Sequence, residues 1–152
     1  MALREDIALL QGLSIFDGLL DEHLRLLAFG AERRKLERGH VLFREGASAD
    51  SAFVVLRGQL RLSRNLPSGS DRVISEAGPG SILTEIAMIS EADRHFTATA
   101  AEASEVLRIS RTLFHRMMEE YPEVAVATER RLRENFSRLT GSLAAATSLM
   151  KP

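Results

Sequence analysis

Glycines divide the chain from about residue 32 to 109 into short apolar runs, and this punctuation limits the possible folds more than any other feature. The runs include "HVLFREG", "SAFVVLRGQLRLSRNL", "DRVISEAGPGS", "FTATAAEAS" and "EVLRIS", with breaks at Gly39, Gly46, Gly58, Gly69, Gly78 and Gly80. Apolar segments of that length have the size of strands and are too short for helices. Their regular spacing predicts an antiparallel sandwich or barrel. "LRLSRNLPSGSDRVISE" reads as a hairpin turning near Pro67–Gly69, because proline and glycine favour tight turns.

Helical periodicity flanks this β region on both sides. Ile7, Leu10 and Leu13, then Leu20, Leu24 and Leu27, recur at helical intervals, with Asp21 as a candidate N-cap and Gly30 as a stop. "SRTLFHRMMEEY" predicts a helix capped by Ser110, and Pro122 suits the first turn of a further helix. That last helix spaces Leu132, Phe136, Leu139, Leu143, Ala146 and Met150 by fours and threes, the pattern of a coiled-coil seam. The seam fits either a homodimer interface or a lid on the chain's own β region. The expected class is α+β, mainly β, with helices over residues 1–30, the β region over 31–109 and closing helices over 110–152.

Composition narrows the function. The 152 residues carry a formal net charge of −1, which argues against a chain that grips nucleic acid through its overall field. There is no cysteine, so disulfides, thiolate metal sites and a cysteine nucleophile are excluded. That also agrees with a reducing compartment, and the cytoplasm is the expected location. The N-terminus has early acids and no long apolar stretch, unlike a signal peptide, and no run is long enough to span a bilayer.

The candidate site is "TEIAMISEADRHFTATA", residues 84–100. It reads as a short helix opening on Glu85, a polar turn, then Arg94 leading into a strand. A helix start leaves unpaired N–H groups that attract anions, and an arginine can grip a phosphate with two parallel donors. A carboxylate beside an anion site suits a hydroxyl-bearing ligand such as a sugar. Spacing alone leaves a plain structural reading equally open, in which Arg94 pairs with Glu85 or Glu91 on the surface.

This stretch resembles the phosphate-binding cassette of the cyclic-nucleotide-binding domain, found in the catabolite-activator (Crp/Fnr) regulators, cyclic-nucleotide-regulated kinases and ion channels. "LTEIAMI" and "RHFTA" follow the family order of helix start, variable turn and arginine-led strand. Further likeness lies in "VLFREGASADSAFVVLRGQLRL", where Gly46, Asp50 and Gly58 hold family places, and in the flanking helices. The resemblance implies a jelly-roll β-barrel (a double-stranded β-helix) flanked by N-terminal helices and a long C-terminal helix, with the cassette over 80–98. It implies that Glu85 accepts from a ribose hydroxyl, that Arg94 and the N–H groups of residues 85–87 hold the cyclic phosphate, and that Ala87 is the small helix residue. Thr97 falls on the threonine of the strand, and Leu139 and Thr140 lie where the base would be met. Leu83, Thr84, Ile86 and His95 complete the expected set. Thr84 stands in place of the cassette glycine and Leu83 in place of its aromatic neighbour, while His95 and Phe96 replace small residues.

The expected function is therefore a regulatory module for cyclic AMP or cyclic GMP. It would signal through its C-terminal helix to a partner or to a dimer mate joined at Leu132, Phe136, Leu139 and Leu143. The regulators' helix-turn-helix is not expected, nor is DNA contact by this chain alone. One alternative keeps the fold as a ligand-free dimerising scaffold, with Glu85 and Arg94 paired to each other. Another is a cupin-like metalloenzyme. His23, His40, His95 and His115 lack metal-ligand spacing, however, and no acid–base pair or nucleophile motif suggests an enzyme.

Overall fold

The computed structural model describes residues 2–134, and the expectations placed on Phe136, Leu139, Thr140 and Leu143 lie outside them. Helix α1 (Ala2–Gln11) leads through a 3-10 turn at Ser14–Phe16 into α2 (Asp21–Gly30). The helical spacing becomes a buried stripe of Ile7, Leu10, Leu24 and Leu27. The cap of α2 is Leu20, not Asp21: the Leu20 amide donates to Nδ1 of buried His23 at 2.9 Å. Asp21 and Glu22 then sit in the first turn, where negative charge suits the helix dipole.

The strands follow as β1 (Glu32–Leu36), β2 (Val41–Phe43), β3 (Ser48–Ala49), β4 (Ser51–Arg57), β5 (Leu60–Asn65), β6 (Asp71–Ala77), β7 (Ile82–Leu83), β8 (Ala92–Asp93), β9 (Thr97–Ala100) and β10 (Ser104–Ser110). All their pairings are antiparallel. One sheet runs β1-β10-β4-β7, a second β2-β9-β5-β6, and β3 pairs β8 alone. Between β5 and β6 the chain turns through Gly69, at φ +92°, whose amide donates to the Leu66 carbonyl at 2.9 Å.

Side-chain alternation assigns the two cores. Phe53 and Val55 of β4 join Leu36, Phe43, Leu60, Leu83, Phe96 and Val106 between the two sheets. Ala52 and Val54, pointing the other way, join Leu10, Phe16, Leu27, Leu107, Phe114 and Met117 under the helices. The first sheet is thus a middle layer, with helices on one face and the second sheet on the other.

The barrel expected from the sequence does not close, and the sheets remain separate. Strand β7 lasts only two residues before the backbone turns left-handed at Thr84, and β6 is largely exposed and pairs only with β5. On the C-terminal side, Ser110 caps α3 (Arg111–Glu120) by accepting the Leu113 amide at 3.1 Å. A further helix covers residues 122–134, opening at Pro122. Its Leu132 is fully buried against Leu10, Phe16 and Phe114 of the same chain, so among the described residues this part of the seam is covered by the chain's own core.

Candidate functional site

Residues 83–88 leave β7 and form the expected short helix as a 3-10 helix at Glu85–Met88. The turn depends on Thr84, at φ 59° and ψ 47°, the only non-glycine residue with positive φ among those described. That conformation costs an L-residue about 1–2 kcal/mol. The backbone therefore keeps a glycine-type geometry while carrying a β-branched side chain. Tight winding also commits one of the three amides expected to meet a phosphate, since Ala87 N–H donates to the Thr84 carbonyl at 3.1 Å.

Arg94 is placed by the opposite arm. Strand β8 pairs with β3, the Arg94 amide donates to the Ala47 carbonyl at 2.8 Å, and the Gly46 amide donates back to the Arg94 carbonyl at 2.8 Å. Gly46, at φ +86°, lets the loop fold back to make both bonds. The Arg94 side chain turns inward and is only 5% exposed. Its guanidinium lies 4.4 Å from the Phe43 ring centroid and 5.2 Å from that of Phe53. Nη2 donates to Ser51 Oγ at 3.3 Å, and Nη1 has no partner. Burial pulls this guanidinium down to about 10; the Asp50 carboxylate opposes the shift and Arg108 adds to it.

Three buried polar atoms of the cassette stretch lack partners: Thr84 Oγ1, Glu85 Oε2 and Arg94 Nη1. The Glu85–Arg94 ion pair of the scaffold alternative does not form. Burial instead raises the Glu85 carboxyl above its ordinary range, opposed by a hydrogen bond from its own backbone. An acceptor, a hydroxyl and a cation can together bind a ligand with one anionic group and one hydroxyl.

The remaining expected residues divide by role. Leu83, Ile86 and Ala87 are buried and apolar. Thr97 Oγ1 accepts the Glu45 amide at 2.9 Å, so its hydroxyl is engaged within the fold. Half-buried His95 lines a cavity of about 430 Å³ with Ile86, Ser90, Glu91, Asp93 and Arg133. Leu139 and Thr140 lie outside the described residues. Among the described residues no cluster of three or more histidine, aspartate or glutamate side chains could hold a metal, and no helix is long and apolar enough to cross a membrane.

Sequence reasoning missed Ser51, Phe43 and Phe53 around Arg94, and also Arg111. Arg111 donates from Nε to the Ala87 carbonyl at 3.0 Å and from Nη2 to the Ala49 carbonyl at 2.7 Å, tying the start of α3 to the cassette turn. The inward alternation of Phe43 and Phe53 was available in the sequence, but nothing there shows a cation resting on them. Arg111 left no signal, because its partners are main-chain carbonyls.

A family model described as the cyclic nucleotide-binding domain matches residues 33–121, more than half of the chain. The cyclic AMP receptor protein of Thermus thermophilus is 30% identical over 129 residues, covering 82% of this chain and 60% of that protein. The lysophospholipase nte1 of Neurospora crassa is 32% identical over 108 residues, 71% of this chain but 7% of that enzyme. The chain thus spans a small part of the lysophospholipases it matches. Among solved structures, a cyclic nucleotide-binding-like protein from Brucella abortus is similar at 43% identity and TM-score 0.71, covering 76% of this chain and 98% of that one. The regulatory domain of Toxoplasma gondii PKA, solved with cAMP, is similar at 25% identity and TM-score 0.71, covering 76% of this chain and 44% of that one.

Proposed function

The chain belongs to the cyclic nucleotide-binding domain family, and from that premise we propose that it binds cyclic AMP or cyclic GMP as a regulatory module. One observation carries the reading: a guanidinium that is 5% exposed, has an unpartnered Nη1 and forms no ion pair among the described residues, with its charge only partly offset through space by Asp50. An uncompensated buried charge costs several kcal/mol. A singly charged phosphodiester laid against Arg94 removes that cost and gains a charge-assisted hydrogen bond. Glu85 Oε2 then accepts from the ribose hydroxyl, and Thr84 Oγ1 lies on the same turn. The cytoplasm is the proposed location.

Binding reaches the rest of the molecule through the cassette turn. Arg111 holds the Ala87 carbonyl, so movement of the turn draws on the start of α3 and, through it, on the C-terminal helix. Transmission to a partner or a dimer mate requires that ligand favour one position of that helix over another. Support for this route is the Arg111 bracket together with the burial of Leu132 among the N-terminal helices.

The test is calorimetric titration with each cyclic nucleotide. Saturable heat with the wild type that vanishes in Arg94→Ala is expected. Silence with both nucleotides would overturn the reading.

A further inference from the structure

Arg94 is held by rings as well as by its own backbone. Phe43 of β2 and Phe53 of β4 stack with centroids 5.8 Å apart and planes inclined by 30°. The guanidinium lies over both, at 4.4 and 5.2 Å. Phe96, two residues after Arg94, tilts against Phe43 with centroids 5.6 Å apart and planes inclined by 46°. All three rings are at most 9% exposed. Among the described residues the guanidinium's one hydrogen bond goes to Ser51, 3.3 Å away on β4. Aromatic faces thus stabilise and orient this cation together with Ser51 and the more distant charge of Asp50. Phe96 also stands where the family pattern has a small residue, so this chain has added a ring against Phe43.

We propose that Phe43 and Phe53 form an aromatic floor that positions Arg94 for its anion, and that Phe96 braces Phe43. The proposal rests on the nucleotide-binding reading and specifies how its principal cation is set. A guanidinium over a ring face is attracted by the ring's quadrupole, and the attraction grows as water is excluded. The group held over the rings still carries Nη1, the atom without a partner. The rings are thus positioning residues. Without them the guanidinium would hydrate and sample other rotamers, and ligand would have to reverse both changes.

Stepwise fluorination of the Phe43 ring tests this, because added fluorines weaken the face quadrupole while nearly preserving shape. Affinity for cyclic AMP and cyclic GMP is measured by calorimetry across mono-, di- and trifluorophenylalanine at position 43. Affinity is expected to fall steadily with fluorine count, by about fivefold to thirtyfold across the series for an attraction of this kind. Phe96→Ala is expected to weaken binding severalfold and Phe96→Leu to restore it, since a brace needs bulk and not a π face. A flat fluorination series in a protein that binds overturns the proposal alone. A rising series does too, since the rings would then hold Arg94 away from its anion. A wild type that gives no heat with either nucleotide overturns the underlying reading and this proposal with it.

Discussion

Arg94 and Glu85 occupy positions where ionisation opposes folding, so stability and binding should respond to their removal with opposite signs. The guanidinium is shifted down to about 10 by burial, so the ligand-free chain carries its desolvation cost at every pH below that value. Arg94→Met should raise the ligand-free unfolding temperature at pH 7, by roughly 3–8 °C for a gain of about 1–2 kcal/mol, while abolishing nucleotide binding. Scanning calorimetry with and without ligand checks both halves. Glu85 behaves as a raised carboxyl: its contribution is fully favourable below the unfolded value of 4.5 and is lost as pH rises through the higher folded value. Glu85→Gln should therefore stabilise the chain at neutral pH, lose that advantage below pH 4.5, and weaken ribose-bearing ligands throughout. Melting curves across pH 4 to 8 provide the check. That Glu85, Arg94 and Thr84 share one short stretch could be read from the sequence, because charge and residue type are properties of single residues. Ser51, Phe43 and Phe53 could not, because a cation resting on rings is a relation among strands far apart in the chain.

At the scale of elements, a single side chain joins the cassette to the helix that follows the β region. Arg111, the first residue of α3, reaches both the Ala87 and Ala49 carbonyls. Its removal leaves two carbonyls to be met by water at a partly exposed site, a cost of about 1–3 kcal/mol. Arg111→Met should lower the unfolding temperature. It should also uncouple nucleotide binding from the C-terminal helix, seen as loss of a ligand-dependent signal from a fluorescent label placed near residue 130. Helix stops and caps at Gly30 and Ser110 were legible from residue type, and so was the turn at Gly69. The α2 cap was not, because His23 fills a role usually taken by serine or aspartate and shows it only once folded. The cassette helix was read with its start at Glu85 but without a pitch. Four residues are too few to establish a period, and the left-handed Thr84 sets the tighter winding.

Across the whole molecule, the layered order assigns the helices to the stability of the β region. Leu132 comes from the far end of the described chain and is fully buried among residues of α1, the Ser14–Phe16 turn and α3. Leu132→Ala should cost about 2–5 kcal/mol, measured by chemical denaturation, since a void there lies among close-packed side chains on all sides. The strand-built middle of the chain was legible in the glycine breaks, whereas closure of the barrel was not, because it depends on edge pairing that no single strand encodes. Strand β4 has a further consequence. Its residues Ala52 through Val55 are walled by rings and aliphatics on one side and by helices on the other. Their amide protons meet solvent deuterium only when both walls lift together, which makes this strand the slowest isotopic clock in the molecule and the natural reference for timing any loosening elsewhere.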